Sequence, residues 1–168
     1  MGKKKPNKID TRRFIDKVKK MAKDRMSEGK VVSLDSFRSV DMDFPRKILI
    51  IEDDETMRKA MKRIFEADGY EVVTVSDGTH LSQVLDDKPM DLIILDIGLP
   101  WINGFELAQL MKEDPDLKSI PLIFVSGRTG DGDIRKGFEI GAVDFVKKPF
   151  DVEKIRKTVR TLLYLNEN

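Results

Sequence analysis

From residue 47 onward, five short apolar runs alternate with stretches of helical period, and no other feature of the chain restricts its fold so tightly. The runs are 47–51 (KILII), 71–75 (EVVTV), 91–95 (DLIIL), 121–125 (PLIFV) and 143–146 (VDFV). The first, third and fourth are apolar at nearly every position, as a strand must be when helices cover both its faces. Between the first two runs, Met57, Ala60, Met61, Ile64 and Phe65 recur at the i, i+3, i+4, i+7, i+8 spacing of a core-facing helix. Val152, Ile155, Val159 and Leu162 repeat that stripe near the C-terminus. Weaker helical patterns cover 79–86, 103–113 and 132–140. Asp54 stands where the first helix needs an N-cap, and Gly69 and Gly141 stand where helices end. Alternating strands and helices build a parallel sheet, and its crossovers are right-handed. The expected fold class is therefore α/β, a (βα)5 doubly wound parallel five-stranded sheet of flavodoxin-like order 2-1-3-4-5.

Charge divides the chain before any motif does. Residues 1–45 hold 13 Lys and Arg against 7 Asp and Glu, a net +6, whereas residues 46–168 hold 18 against 23, a net −5. This predicts a basic N-terminal extension over 1–45 and one globular domain over 46–168, for which 40% hydrophobic residues supply enough core. With no cysteine, disulfides, thiolate metal sites and cysteine nucleophiles are excluded. Lys3, Lys4 and Lys5 are followed by no apolar stretch, so neither a signal peptide nor a membrane span is expected, and a cytoplasmic location is.

In an open α/β sheet, ligands bind beyond the carboxyl ends of the strands where the strand order reverses. There the first run ends in Glu52, Asp53 and Asp54, the third in Asp96, the fourth in Ser126 and the fifth in Lys147, Lys148 and Pro149. Acids crowded at the ends of adjacent strands repel one another, and a hard divalent cation with oxygen ligands relieves them, Mg²⁺ above all. Any one of these acids alone reads equally well as a turn former or helix cap. Acids, a hydroxyl and a lysine together form a phosphate-handling set. A carboxylate can attack phosphorus, while a cation, a lysine and a hydroxyl stabilise the charge on the phosphoryl oxygens.

The pattern resembles the receiver domain of two-component response regulators over roughly residues 46–165. ILIIEDDETMR resembles that family's first strand and acidic turn, DLIILDIGLPWINGFEL its third strand and acceptor loop, FVSG its fourth strand and VKKPF its fifth. The resemblance implies Asp96 as the phosphoryl acceptor and Mg²⁺ held by Glu52, Asp53, Asp96 and the backbone carbonyl of Gly98. It implies Ser126 and Lys148, rather than Lys147, as the groups that assist, with a cis Lys148–Pro149 bond. Phe145 falls where the family keeps an aromatic ring whose rotation reports phosphorylation. The donor would be a histidine kinase or phosphotransfer protein. The response would be a reshaped face of the fourth helix, fifth strand and fifth helix that controls partner binding. Gly98, Arg128 and Trp101 depart from the commonest pattern. Trp101 is expected as an exposed loop aromatic near the mouth of the site, either a partner contact or incidental, and 127–133, with three glycines, as a mobile loop. His80, the only histidine, is expected at the surface, away from the strand ends.

The resemblance leaves out the extension. There Phe14, Ile15, Val18, Met21, Ala22 and Met26 form an apolar stripe opposed by Lys and Arg, predicting an amphipathic helix over about 10–28 and a linker to 45. Its partner is expected to be protein, through residues 10–40: a downstream target, the domain itself or a twin chain in a homodimer. Nucleic acid is the runner-up. No effector is expected beyond Asn168. An aspartyl-phosphate phosphatase is disfavoured, since those enzymes commonly need a second acid where Gly98 stands. The expected product is a switch that catalyses only its own phosphotransfer and dephosphorylation.

Overall fold

A computed structural model describes residues 45–165 apart from Lys88 and Thr129. The amphipathic helix and all of the linker but Pro45, expected over residues 1–45, lie outside the described residues. Five strands and five helices alternate: β1 (Lys47–Ile51), α1 (Glu55–Ala67), β2 (Glu71–Val75), α2 (Gly78–Asp87), β3 (Leu92–Leu95), α3 (Gly104–Glu113), β4 (Leu122–Ser126), α4 (Asp131–Ile140), β5 (Asp144–Lys147) and α5 (Val152–Leu165). The strands form one parallel sheet in the order β2-β1-β3-β4-β5, as the alternation predicts. No described helix is long and apolar enough to cross a membrane.

Strand alternation distributes the core between two layers. Leu49 and Ile51 of β1 point to the side covered by Leu81 of α2 and by Phe105, Leu107 and Met111 of α3. Ile48 and Ile50 point to the other side, against Met61 and Phe65 of α1 and Ile155, Val159 and Leu163 of α5. The continuous apolar runs of β1, β3 and β4 are thus explained, since both faces of these strands are buried.

Local chemistry sets the helix ends. The Asp54 carboxylate accepts the Met57 N–H at 2.7 Å and caps α1, and Asn103 accepts the Phe105 N–H at 2.9 Å and caps α3. Gly141 closes α4 at φ 109°, a left-handed turn that suits glycine. Three expectations need correction. Ala60 and Val152 are exposed and belong to no core stripe. The stretch 127–133 is only in part a loop, because Asp131, Gly132 and Asp133 form the first turn of α4, with the Asp133 and Ile134 N–H groups donating to the Gly130 carbonyl. Two acids near a helix N-terminus favour that turn, outweighing the glycine.

Candidate functional site

The register of β1 on β3 pairs Ile51 with Leu95, so the next residues, Glu52 and Asp96, emerge side by side from adjacent strands. The Asp96 N–H donates to the Ile51 carbonyl at 3.0 Å and fixes that relation. Carboxylate oxygens of Glu52, Asp53 and Asp96 all lie within 4.8 Å of one another. Asp53 is exposed, but Glu52 is 1% and Asp96 8% exposed. With Ser126, these two are the only buried polar or charged side chains among the described residues. Buried carboxylates are costly unless paired, so their concentration at the carboxyl end of the sheet marks that end as a site.

Lys148 supplies the opposite charge. Its Nζ donates to Glu52 Oε2 at 2.6 Å and stands 3.6 Å from Asp96 Oδ1, while Lys147 is exposed. The Lys148–Pro149 bond is cis. Glu52 is held at both oxygens, since Oε1 accepts the Asp54 N–H at 3.1 Å. Burial pushes the Glu52 carboxyl above its ordinary value, with the Asp96 charge adding to the rise and the Lys148 ammonium opposing it. Ser126 ends β4; its Oγ accepts the Arg128 N–H at 3.1 Å, and its carbonyl accepts the Lys148 N–H at 2.9 Å. Gly98 is exposed, and a side chain there would begin 3.8 Å from Asp96 Oδ2, so the approach to that carboxylate is open. Three hard oxygen donors converging beside a single ammonium suit a divalent cation such as Mg²⁺.

Residues 48–160 match the response regulator receiver domain. The chain belongs to that family. It is 40% identical over 116 residues to the aerobic respiration control protein ArcA of Escherichia coli strain K12, covering 69% of this chain and 48% of ArcA. It is 33% identical over 120 residues to the TorCAD operon transcriptional regulatory protein TorR of Escherichia coli O157:H7, covering 71% of this chain and 51% of TorR. The chain thus spans about half the length of these curated relatives. Among solved structures, the receiver domain of a signal transduction histidine kinase from Syntrophus aciditrophicus superposes with a TM-score of 0.65 at 34% identity, covering 71% of this chain and 90% of that one. The receiver domain is the switch module of two-component signalling, and its (βα)5 fold is the one expected from the sequence.

Phe145 of β5 is half-buried, with its ring centroid 6.0 Å from that of Phe124. His80 is exposed as expected, yet it sits in the first turn of α2, close behind the end of β2, with its ring 3.3 Å from the Asp77 carboxylate. Trp101 is not the exposed loop aromatic expected. It is half-buried against Gly78 at the start of α2, and its indole N–H is buried with no acceptor among the described residues.

Three supporting residues escaped the sequence reading. Gly104 backs onto the Asp96 carbonyl so closely that a Cβ there would lie 2.4 Å from the oxygen. Gly137 of α4 lies over Phe124 and Phe145, where a Cβ would meet each ring at 3.1 Å. Arg58 reaches back from α1 to the carbonyls of Glu52 and Asp53. Only the glycines carry a local signal, and a glycine in sequence does not reveal which group approaches it.

Proposed function

We propose that the chain is a phosphorylation-dependent switch in which Asp96 accepts a phosphoryl group from a histidine kinase or phosphotransfer protein. The observation that carries this reading is the burial of Glu52, Asp96 and Ser126 at the carboxyl end of the sheet with Lys148 between the two carboxylates. A carboxylate oxygen of Asp96 attacks the phosphorus of phosphohistidine. The O–P bond forms, the P–N bond breaks, and its electron pair returns to the imidazole, which takes up a proton. Lys148 holds a positive charge beside the attacked group throughout, and Ser126 offers its hydroxyl to the incoming oxygens. Mg²⁺, held by Glu52, Asp53, Asp96 and the Gly98 carbonyl, would neutralise charge between carboxylate and phosphoryl group when bound. The added charge draws Ser126 and Lys148 toward Asp96, and the Phe145 ring and the face of α4, β5 and α5 respond. The domain's own chemistry is limited to gaining and losing this group, without turnover of an external substrate.

The test is incubation of the chain with acetyl phosphate and Mg²⁺, followed by intact mass. Wild type should gain one phosphoryl group, and Asp96→Asn none. A gain that survives the substitution refutes the assignment.

For output we favour protein contact through residues 10–40, since the apolar stripe from Phe14 to Met26 calls for an apolar partner, a second copy included. Nucleic-acid binding is the second reading, favoured by the net +6 of residues 1–45 and by the transcriptional role in TorR's name. A salt-dependent gel shift of the intact chain, lost when residues 1–45 are removed, would establish that reading in place of the first.

A further inference from the structure

Arg58 lies in the second turn of α1 and is half-buried. One of its nitrogens, Nη1, donates to two successive carbonyl oxygens, Glu52 at 3.0 Å and Asp53 at 3.2 Å. A planar guanidinium resting on two adjacent carbonyls fixes both peptide planes, and with them the directions in which the two side chains leave the backbone. Glu52 has other anchors, in Lys148 and the Asp54 N–H. Asp53 does not. Its carboxylate is exposed and accepts no hydrogen bond among the described residues, so its place follows from the backbone, where Arg58 holds the carbonyls on both sides of Asp53 and the Asp54 N–H donates to Glu52.

We infer that Arg58 is a positioning residue for the divalent cation, holding the β1–α1 loop so that Asp53 converges on Glu52 and Asp96 before the ion arrives. The inference rests on the reading of that acidic group as a Mg²⁺ site. The physical reason is preorganisation. Partners that orient a metal ligand from behind commonly change affinity by roughly 10–100-fold when removed. The guanidinium charge acts in the opposite direction, because a cation near the site repels a second cation. Removing Arg58 therefore weakens Mg²⁺ binding if position dominates and tightens it if charge dominates. The sign of the change separates the two.

The experiment is calorimetric titration of Mg²⁺ into the full chain as wild type, Arg58→Met and Arg58→Lys, with a thermal unfolding curve for each. Methionine keeps much of the apolar stem and loses the donor. Lysine keeps the charge but ends about one bond short of the two carbonyls. Arg58→Met should weaken Mg²⁺ binding by about 10-fold and Arg58→Lys in the same direction by less. If Arg58→Met does not fold, Arg58→Lys decides alone. A folded variant that binds Mg²⁺ as tightly as wild type, or more tightly, overturns the inference, even if its melting temperature has dropped. Wild type that takes up no Mg²⁺ overturns the metal site itself and this inference with it. The two failures differ in which protein shows them.

Discussion

The β1–α1 and β3–α3 loops bring carboxylates to the same place from adjacent strands, and each ends in a capping side chain, Asp54 and Asn103, yet what else holds them differs. The first is held by hydrogen bonds: the Asp54 carboxylate accepts the Met57 N–H at the start of α1, the Asp54 N–H donates to Glu52, and Arg58 donates to two carbonyls. The second is held by close approach. The Gly104 N–H donates to the Ile97 carbonyl at 2.9 Å, and the backbone of Gly104 presses against Asp96 with no room for a Cβ. Trp101 then fills the space over Gly78. The difference teaches where each loop tolerates change. Single hydrogen bonds contribute roughly 0.5–1.5 kcal/mol apiece, so a loop held by several loses shape by degrees. Steric repulsion between backbone atoms has no such gradation.

Breaking the second loop should therefore cost most. Gly104→Ala forces a Cβ to within 2.4 Å of the Asp96 carbonyl oxygen. A loss of about 3 kcal/mol in urea unfolding is expected, the upper part of the range for overpacking. A loss under about 1 kcal/mol would mean that the backbone yields and the contrast between the loops is false. Gly78→Ala should cost less, about 1 kcal/mol, because the atoms it meets at 2.7 Å belong to a side chain that can turn. The emission of Trp101, the single tryptophan, should shift with it, and an unchanged spectrum would show that the ring never moved.

The smallest effect is expected far from both loops. Asp68, at the end of α1, is paired with Arg156 of α5 through Nε at 2.8 Å and through Nη2. The hydrogen bonds from Arg156, outweighing desolvation, hold the Asp68 carboxyl below its ordinary value. A lowered folded value means that the pair stabilises the fold above the ordinary aspartate value of 3.8 and is lost as pH falls below it. Asp68→Asn should lower the melting temperature by about 2–4 °C at neutral pH, with the gap closing in acid and Mg²⁺ affinity unchanged. A gap that persists in acid would show packing at work rather than charge. A change in Mg²⁺ affinity would show that the loops are not independent of the rest of α1.

Much of this was legible because it is local. Continuous apolar runs mark the buried strands, and Asp54 three residues before Met57 marks a cap, since capping needs only its own helix. The acids, the hydroxyl and the lysine could be placed from the rule that strand ends hold ligands, and the structure brings Glu52, Asp53, Asp96 and Lys148 together. Trp101 was misread because its environment is made by α2, which lies more than a dozen residues earlier in the chain. The helical pattern over 132–140 finds α4 to within one residue, Asp131, while the looser reading of 127–133 as a loop overlooked the two acids that favour its first turn.

By itself, the sequence determined the order of elements, the two-faced burial of the central strands and the residues standing at strand ends, because periodicity and capping act within a few residues. Only the tertiary structure decided that Gly104 lies against Asp96 and that Arg58 reaches back over Glu52 and Asp53. Those contacts depend on strand register and on which segments are pressed together, and no short stretch of sequence encodes either.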